Sequence, residues 1–179
     1  MKFIKRFESF LSEKLYDETI KTARHLVNSS SMCFATHRCW NPDIVKDSFP
    51  VFIHSISPDS EFYDKLNDEF VQNLEPFFSE QKIKTQMNPE FMLYYWTRFS
   101  YIPWHSDANF YGGLTVYLNE EWDQDWGGYF MYKNEDGSIS AIPPQRNTAV
   151  LQFGGVPHST TPVHYSGELR ITLQVFFNK

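Results

Sequence analysis

Trp104-His105-Ser106-Asp107-Ala108-Asn109-Phe110-Tyr111-Gly112-Gly113-Leu114-Thr115-Val116-Tyr117-Leu118-Asn119 is the stretch on which the reading of this chain turns. It opens on two metal-donor side chains, His105 and Asp107, at positions i and i+2. On a strand or its frayed end that spacing sends both to one face. The stretch then becomes β-branched and aromatic, with glycine and asparagine at its borders, which is the composition of a strand. Further on, His158 follows a Gly-Gly-Val-Pro turn, and Arg170 opens another β-branched run.

Two histidines and one carboxylate make a donor set suited to non-haem Fe(II), and three such ligands leave three positions open on an octahedral metal. Arg170 offers a planar cationic fork suited to an anion. Each residue also has an ordinary reading. His-x-Asp recurs by chance, a histidine after Gly-Pro caps turns, and a strand arginine sits in water. Their order inside one β-rich segment favours a joint site.

Outward from that stretch, residues 82–87, 90–100, 113–118, 128–132, 139–142, 148–153 and 169–177 are short β-branched and aromatic segments separated by Gly, Pro, Asn and Asp. The front of the chain differs. Residues 3–8 read as a strand, and Ser12 as the N-cap of a helix running to Asn28, with Leu15, Tyr16, Ile20, Ala23, Leu26 and Val27 at helical spacing. Residues 32–40 and 50–57 read as strand or extended loop. Phe62, Leu66, Phe70, Leu74 and Phe77 mark a second helix from Asp59 to Phe78, with an irregular last turn at Pro76. Strands in series after two helices predict a mainly β fold: a double-stranded β-helix (jelly roll, cupin-like), with the N-terminal helices packed on one sheet. Residues 1–179 then form a single domain, with 1–80 a helical support and 81–179 the jelly-roll core.

The chain has 179 residues, enough for a full core, and its 18% aromatic content excludes disorder. A net charge of −6 with no basic run argues against a nucleic-acid partner. Two cysteines, Cys33 and Cys39, make no disulfide framework and lack zinc-ribbon spacing. The N-terminus is charged again before any apolar stretch develops, so no signal peptide is expected. No run approaches the ~18 apolar residues of a membrane helix. The expectation is a soluble, cytoplasmic protein with no membrane partner.

Trp104-His105-Ser106-Asp107, then Leu114-Thr115-Val116-Tyr117-Leu118-Asn119-Glu120-Glu121-Trp122, Gly127-Gly128-Tyr129-Phe130, Pro157-His158 and Arg170-Ile171-Thr172 follow in that order. Together they resemble the catalytic core of the Fe(II)- and 2-oxoglutarate-dependent dioxygenase superfamily. The likeness is to the prolyl 4-hydroxylase group, including the hypoxia-inducible-factor prolyl hydroxylases. It covers about residues 90–178; the front half matches only in character. The resemblance implies an enzyme that hydroxylates a C–H bond, uses Fe(II), 2-oxoglutarate and O2, has ascorbate as a possible reductant, and releases succinate and CO2. His105, Asp107 and His158 would ligate the metal, and Arg170 would pair with the far carboxylate of 2-oxoglutarate. Tyr117 matches a family tyrosine that reaches the same carboxylate. Thr172, two residues beyond Arg170, could add a hydroxyl or be an ordinary strand threonine. Tyr95 stands where related enzymes carry a tyrosine near the cosubstrate, or is one more core aromatic. The carboxylate of Asp107 occupies the position that related radical halogenases leave to chloride, which implies hydroxylation.

Two departures weaken the assignment of proline as substrate. Many prolyl 4-hydroxylases have lysine where Arg170 stands. The interval from His158 to Arg170 is also longer than in those relatives, so a bulge or longer turn at Tyr165-Ser166-Gly167 is expected. Trp104, Phe110, Tyr111, Trp122 and Trp126 are candidate walls of the substrate pocket, and 109–113 reads as a glycine-bearing flap or a plain turn. The substrate is then a peptidyl proline in a peptide or protein partner. The alternatives are a free amino acid or other small molecule, or a non-catalytic cupin-like binding protein. That last class has no need of Tyr117 and Arg170.

Overall fold

The computed structural model describes residues 2–29, 48–83 and 89–178. In chain order these form β1 (Phe3–Phe7), α1 (Glu13–Asn28), β2 (Val51–Ser55), α2 (Glu61–Glu80), β3 (Pro89–Trp96), β4 (Ile102–His105), β5 (Phe110–Tyr117), a 3-10 turn (Gln124–Trp126), β6 (Phe130–Lys133), β7 (Ile139–Ile142), β8 (Ala149–Phe153), β9 (His158–Thr160) and β10 (Arg170–Asn178). The strands make two antiparallel sheets: a major sheet ordered β1-β8-β5-β10-β3-β2 and a minor sheet ordered β4-β9-β6-β7. This is the jelly roll anticipated from the series of short strands. No described helix is long and apolar enough to cross a membrane.

Period-2 alternation gives the major sheet two unlike faces. Ile171, Leu173, Val175 and Phe177 of β10, Phe91, Leu93 and Tyr95 of β3, Leu114 and Val116 of β5, and Ala149 and Leu151 of β8 all join one apolar cluster. The helices complete it with Leu15, Tyr16, Ile20 and Ala23 of α1 and Leu66, Phe70, Leu74 and Phe78 of α2. Phe70 meets both Phe10 and Phe91 edge-on with ring centres 4.9 Å apart. Cutting one of these leucines to alanine would cost about 2–5 kcal/mol. The core therefore lies between the helices and the outer face of the major sheet. The inner face is left for the site.

The helix caps follow the sequence closely. Ser12 caps α1 by accepting from the Leu15 N–H, and Ser60 caps α2 by accepting from the Tyr63 N–H. α2 thus starts slightly later than Asp59. It also runs past Pro76 to Glu80, because Phe78 is anchored in the core on the same face as Phe70 and Leu74. Of the strand expected at 82–87, Lys82 lies instead in a turn with φ 54°, and 84–88 lie outside the described residues. Residues 32–40, with Cys33 and Cys39, also lie outside them. The flap reading of 109–113 does not hold: β5 begins at Phe110, and Gly112 is needed because a Cβ there would run into the Gln152 carbonyl on β8. The long return from His158 to Arg170 is taken up by a turn at Tyr165–Gly167, closed by the Gly167 N–H donating to the His164 carbonyl.

Candidate active site

The site grows from the pairing of β4 with β9. Ile102 pairs with Thr160 and His105 with His158, and between these pairs β4 carries one residue more than β9. That bulge turns Ile102 and His105 to the same side, into a cavity of about 250 Å³ between the sheets. His105 and His158 lie side by side, ring centres 4.2 Å apart. Asp107, just past the end of β4, brings Oδ1 to 3.6 Å from His105 Nε2 and Oδ2 to 3.4 Å from His158 Nε2. One ligand atom from each of the three falls within 4.8 Å of the others. The spacing suits one small cation.

The histidines are pre-set for that use. Nδ1 of His105 is 2.8 Å from the Pro103 carbonyl, and Nδ1 of His158 is 2.8 Å from the Val156 carbonyl. A carbonyl only accepts, so each Nδ1 carries the proton and each Nε2 keeps its lone pair for the shared point. Burial and the neighbouring His158 hold His105 below the usual histidine range, in the neutral form a metal needs. Burial works to raise the Asp107 carboxyl, but the closeness of the His158 and His105 rings outweighs this and holds it low. The ring of Phe130 stacks on His158 at 5.2 Å, and the Gln152 side-chain amide donates to Asp107 Oδ2 at 2.9 Å.

Deeper along the inner face, parity on β10 puts Arg170, Thr172, Gln174 and Phe176 opposite the core residues. Arg170 is 1% exposed. Its guanidinium lies 4.7 Å from the Trp96 ring and 5.1 Å from the Tyr117 ring. Among the described residues it forms no ion pair, and its Nε and Nη1 have no hydrogen-bond partner. The Tyr117 hydroxyl is likewise buried without a partner. Burial pushes the Arg170 pKa down and the Tyr117 pKa up. A buried cation with open donors is costly unless an anion meets it. Arginine's fork and the tyrosine hydroxyl fit a carboxylate. The residues present therefore fit a metal held by three side chains and an organic anion held by a fourth.

His105, Asp107, His158 and Arg170 all line the one cavity, with Phe110 at 4.7 Å from the Phe176 ring on its wall. Tyr117 and Thr172 flank Arg170: they pair across β5 and β10, and the Thr172 hydroxyl accepts from Trp96 Nε1 at 3.2 Å. Tyr95 is a correction. It sits on the outer face, in the helix-packed core, and its hydroxyl donates to the Ala23 carbonyl at 3.1 Å. Its neighbours Tyr94 and Trp96 are the ones that face the cavity. Four of the pocket aromatics are also corrected. The β4 bulge turns Trp104 out to solvent, where Lys133 Nζ lies 5.1 Å from its ring centre. Tyr111 falls on the opposite parity to Phe110 and is exposed. Trp122 and Trp126 pack edge-on to each other at 5.3 Å behind the site rather than along it.

Sequence reasoning missed Gln152, Gln174 and Thr115 on the wall, and the reason for Gly128. A Cβ on Gly128, which has φ +69°, would stand 2.8 Å from Arg170 Cδ, so this glycine makes room for the arginine stem. Strand parity counted from Arg170 and Tyr117 puts Gln174 and Thr115 on the same faces as those two residues; no such count reaches Gln152, which lies on β8.

Residues 91–178 match the 2OG-Fe(II) oxygenase superfamily profile. No curated protein matches the chain. Among solved structures, a Pseudomonas putida prolyl-4-hydroxylase superposes with a TM-score of 0.80 at 19% identity, over 100% of this chain and 94% of its own. A Trichoplax adhaerens prolyl hydroxylase, solved with a hypoxia-inducible-factor oxygen-degradation-domain peptide fragment, also gives 0.80, at 15% identity over 98% and 83%. The epimerase SnoN, solved with Fe3+, alpha-ketoglutarate and nogalamycin RO, gives 0.69 at 10% identity over 99% and 79%. At these identities the likeness is one of fold.

Proposed function

As a member of the 2OG-Fe(II) oxygenase superfamily, the chain is an Fe(II)- and 2-oxoglutarate-dependent dioxygenase, and we propose that it hydroxylates a C–H bond of peptidyl proline. The observation that carries hydroxylation with 2-oxoglutarate is the buried, unpaired Arg170 beside a three-residue donor set. His105, Asp107 and His158 would hold Fe(II). Arg170 and the Tyr117 hydroxyl would take the far carboxylate of 2-oxoglutarate, with Thr172 steadying Trp96 against the guanidinium. When bound, iron, 2-oxoglutarate and O2 supply the oxidising power that puts one oxygen atom into the substrate and leaves succinate and CO2. The protein's share is placement and exclusion of water. The carbonyl-anchored histidines keep their Nε2 atoms aimed at one point. Arg170 fixes the cosubstrate at one end, and the Phe110–Phe176 pair closes an apolar wall. The whole chain would act as a single domain: the helices of residues 1–80 brace the catalytic core of 81–179, while β1 and β2 from the same region extend the major sheet at its two edges.

The peptidyl-proline reading is supported by the cavity's mix of aromatic rings and amide side chains and by the two prolyl hydroxylases of the same fold, one of them solved with a peptide. A second reading, hydroxylation of a free amino acid or other small molecule, is favoured by the modest cavity of about 250 Å³. The test incubates the protein with Fe(II), 2-oxoglutarate and ascorbate, then follows proline peptides and free amino acids by mass spectrometry. A 16 Da gain on a peptide proline is expected, and it should persist in high chloride because Asp107 fills the halide position. Succinate release uncoupled from every peptide, beside coupled turnover of a free amino acid, would select the second reading.

A further inference from the structure

Gln152 stands on β8 beside Gly113, reaches across the cavity wall and donates from Nε2 to Asp107 Oδ2 at 2.9 Å. The carboxylate can only accept, so the orientation of this amide is fixed: nitrogen towards Asp107, oxygen away. Gln152 is 3% exposed, and its Oε1 has no hydrogen-bond partner among the described residues. An amide kept only for the fold would satisfy both ends. Leaving a buried acceptor unpaired destabilises, and an apolar side chain of similar shape would suit the wall better. The cost is accepted at a position whose amide donates to Asp107.

Asp107 needs such a partner. It lies beyond the last residue of β4, where no ladder holds it. Its main chain is tied by the Phe110 N–H donating to the Asp107 carbonyl at 3.0 Å, and that of its neighbour by Ser106 Oγ donating to the Gly155 carbonyl at 3.1 Å. Neither contact fixes the rotation of the carboxylate. Gln152 does, by engaging Oδ2. Gly113 gives the amide its room, since a Cβ there would lie 3.1 Å from Gln152 Nε2.

We propose that Gln152 is a positioning residue: it sets the rotation of the Asp107 carboxylate and so tunes the site's grip on Fe(II). The proposal rests on Asp107 being a metal ligand. Hydrogen-bond partners of metal-binding carboxylates typically change metal affinity by about 10- to 100-fold when removed. The experiment titrates the full chain with Fe(II) under argon and measures the thermal midpoint of the metal-free protein, for the wild type, Gln152→Leu, Gln152→Met and Gln174→Leu. Gln174 is a glutamine of the same wall whose side-chain oxygen accepts from Thr115 Oγ1 at 2.6 Å rather than meeting Asp107. Both Gln152 variants should raise the Fe(II) Kd by about 10- to 100-fold, with an equal or higher midpoint, while Gln174→Leu keeps the wild-type Kd. Gln152→Met serves if the branched leucine does not fit. A Kd within twofold of wild type in a folded Gln152 variant overturns the proposal. So does an equal loss in Gln174→Leu, which would mean general loosening of the sheet. A wild type that fails to bind Fe(II) would instead overturn the metal-site reading.

Discussion

Replacing Arg170 with methionine separates what this residue does for the fold from what it does for the cosubstrate. Methionine keeps an unbranched stem of similar length, so the space beside Gly128 stays filled. For the ligand, the variant removes charge-assisted hydrogen bonds and leaves a carboxylate buried without its partner, a loss of roughly 2–4 kcal/mol. That corresponds to a fall of about 30- to 1000-fold in 2-oxoglutarate affinity. For the fold, the sign is opposite. Arg170 is 1% exposed, with two unsatisfied nitrogens. Apolar replacement of buried charge is often neutral or stabilising by ~1–4 kcal/mol. Against this stands the loss of the contacts with Trp96 and Tyr117, worth about 0.5–2 kcal/mol each. These two contributions are of the same size and offset one another, so the ligand-free variant should keep a thermal midpoint within roughly 8 °C of wild type. Anaerobic calorimetry of 2-oxoglutarate binding in the presence of Fe(II), beside thermal scans without ligand, measures both. A 2-oxoglutarate affinity within threefold of wild type would refute the clamp. A midpoint lowered by 10 °C or more would refute the claim that the unpaired cation burdens the fold.

Three further outcomes follow from the same geometry. His158→Ala should abolish tight Fe(II) binding and turnover while the circular dichroism spectrum stays native, since the main core lies on the far side of the major sheet; full activity at limiting iron would remove His158 from the ligand set. Gly128→Ala places a Cβ 2.8 Å from Arg170 Cδ at φ +69°, so it should cost about 1–2 kcal/mol of stability and weaken 2-oxoglutarate at least tenfold, read by the same calorimetry. Tyr95→Phe removes one buried hydrogen bond, to the Ala23 carbonyl, and should cost about 1 kcal/mol by urea unfolding with 2-oxoglutarate affinity unchanged; a large affinity loss would return Tyr95 to the cosubstrate.

Much of the site was legible because its chemistry is written in local spacing. His105 and Asp107 declare themselves by residue type, and Arg170 with Thr172 by strand parity. Parity fails where the register is unknown. Tyr94, Tyr95 and Trp96 are all aromatic, and only the pairing of Arg170 with Trp96 decides which of them face inward. Trp104 misled for a related reason: the extra residue in β4 reverses the alternation just before His105, and nothing in the composition of Ile102-Pro103-Trp104 announces a bulge. β9, only three residues long, is too short for any periodicity to register, although it carries His158. Gln152 and Gln174 looked like ordinary polar strand residues, because the sequence does not reveal that both faces of this sheet are covered.

The two faces of β10 have a practical meaning for anyone wishing to alter this protein. Its odd-numbered residues, Ile171, Leu173, Val175 and Phe177, are shared with the helices, while its even-numbered residues, Arg170, Thr172, Gln174 and Phe176, turn towards the cavity or the clamp beside it. A combinatorial library confined to positions 174 and 176 would reshape the wall of the cavity while leaving the helix-packed layer intact. One confined to 171, 173 and 175 would sample stability with the chemistry held constant. A single strand thus provides two nearly independent dials for directed evolution, separated by no more than the pleat.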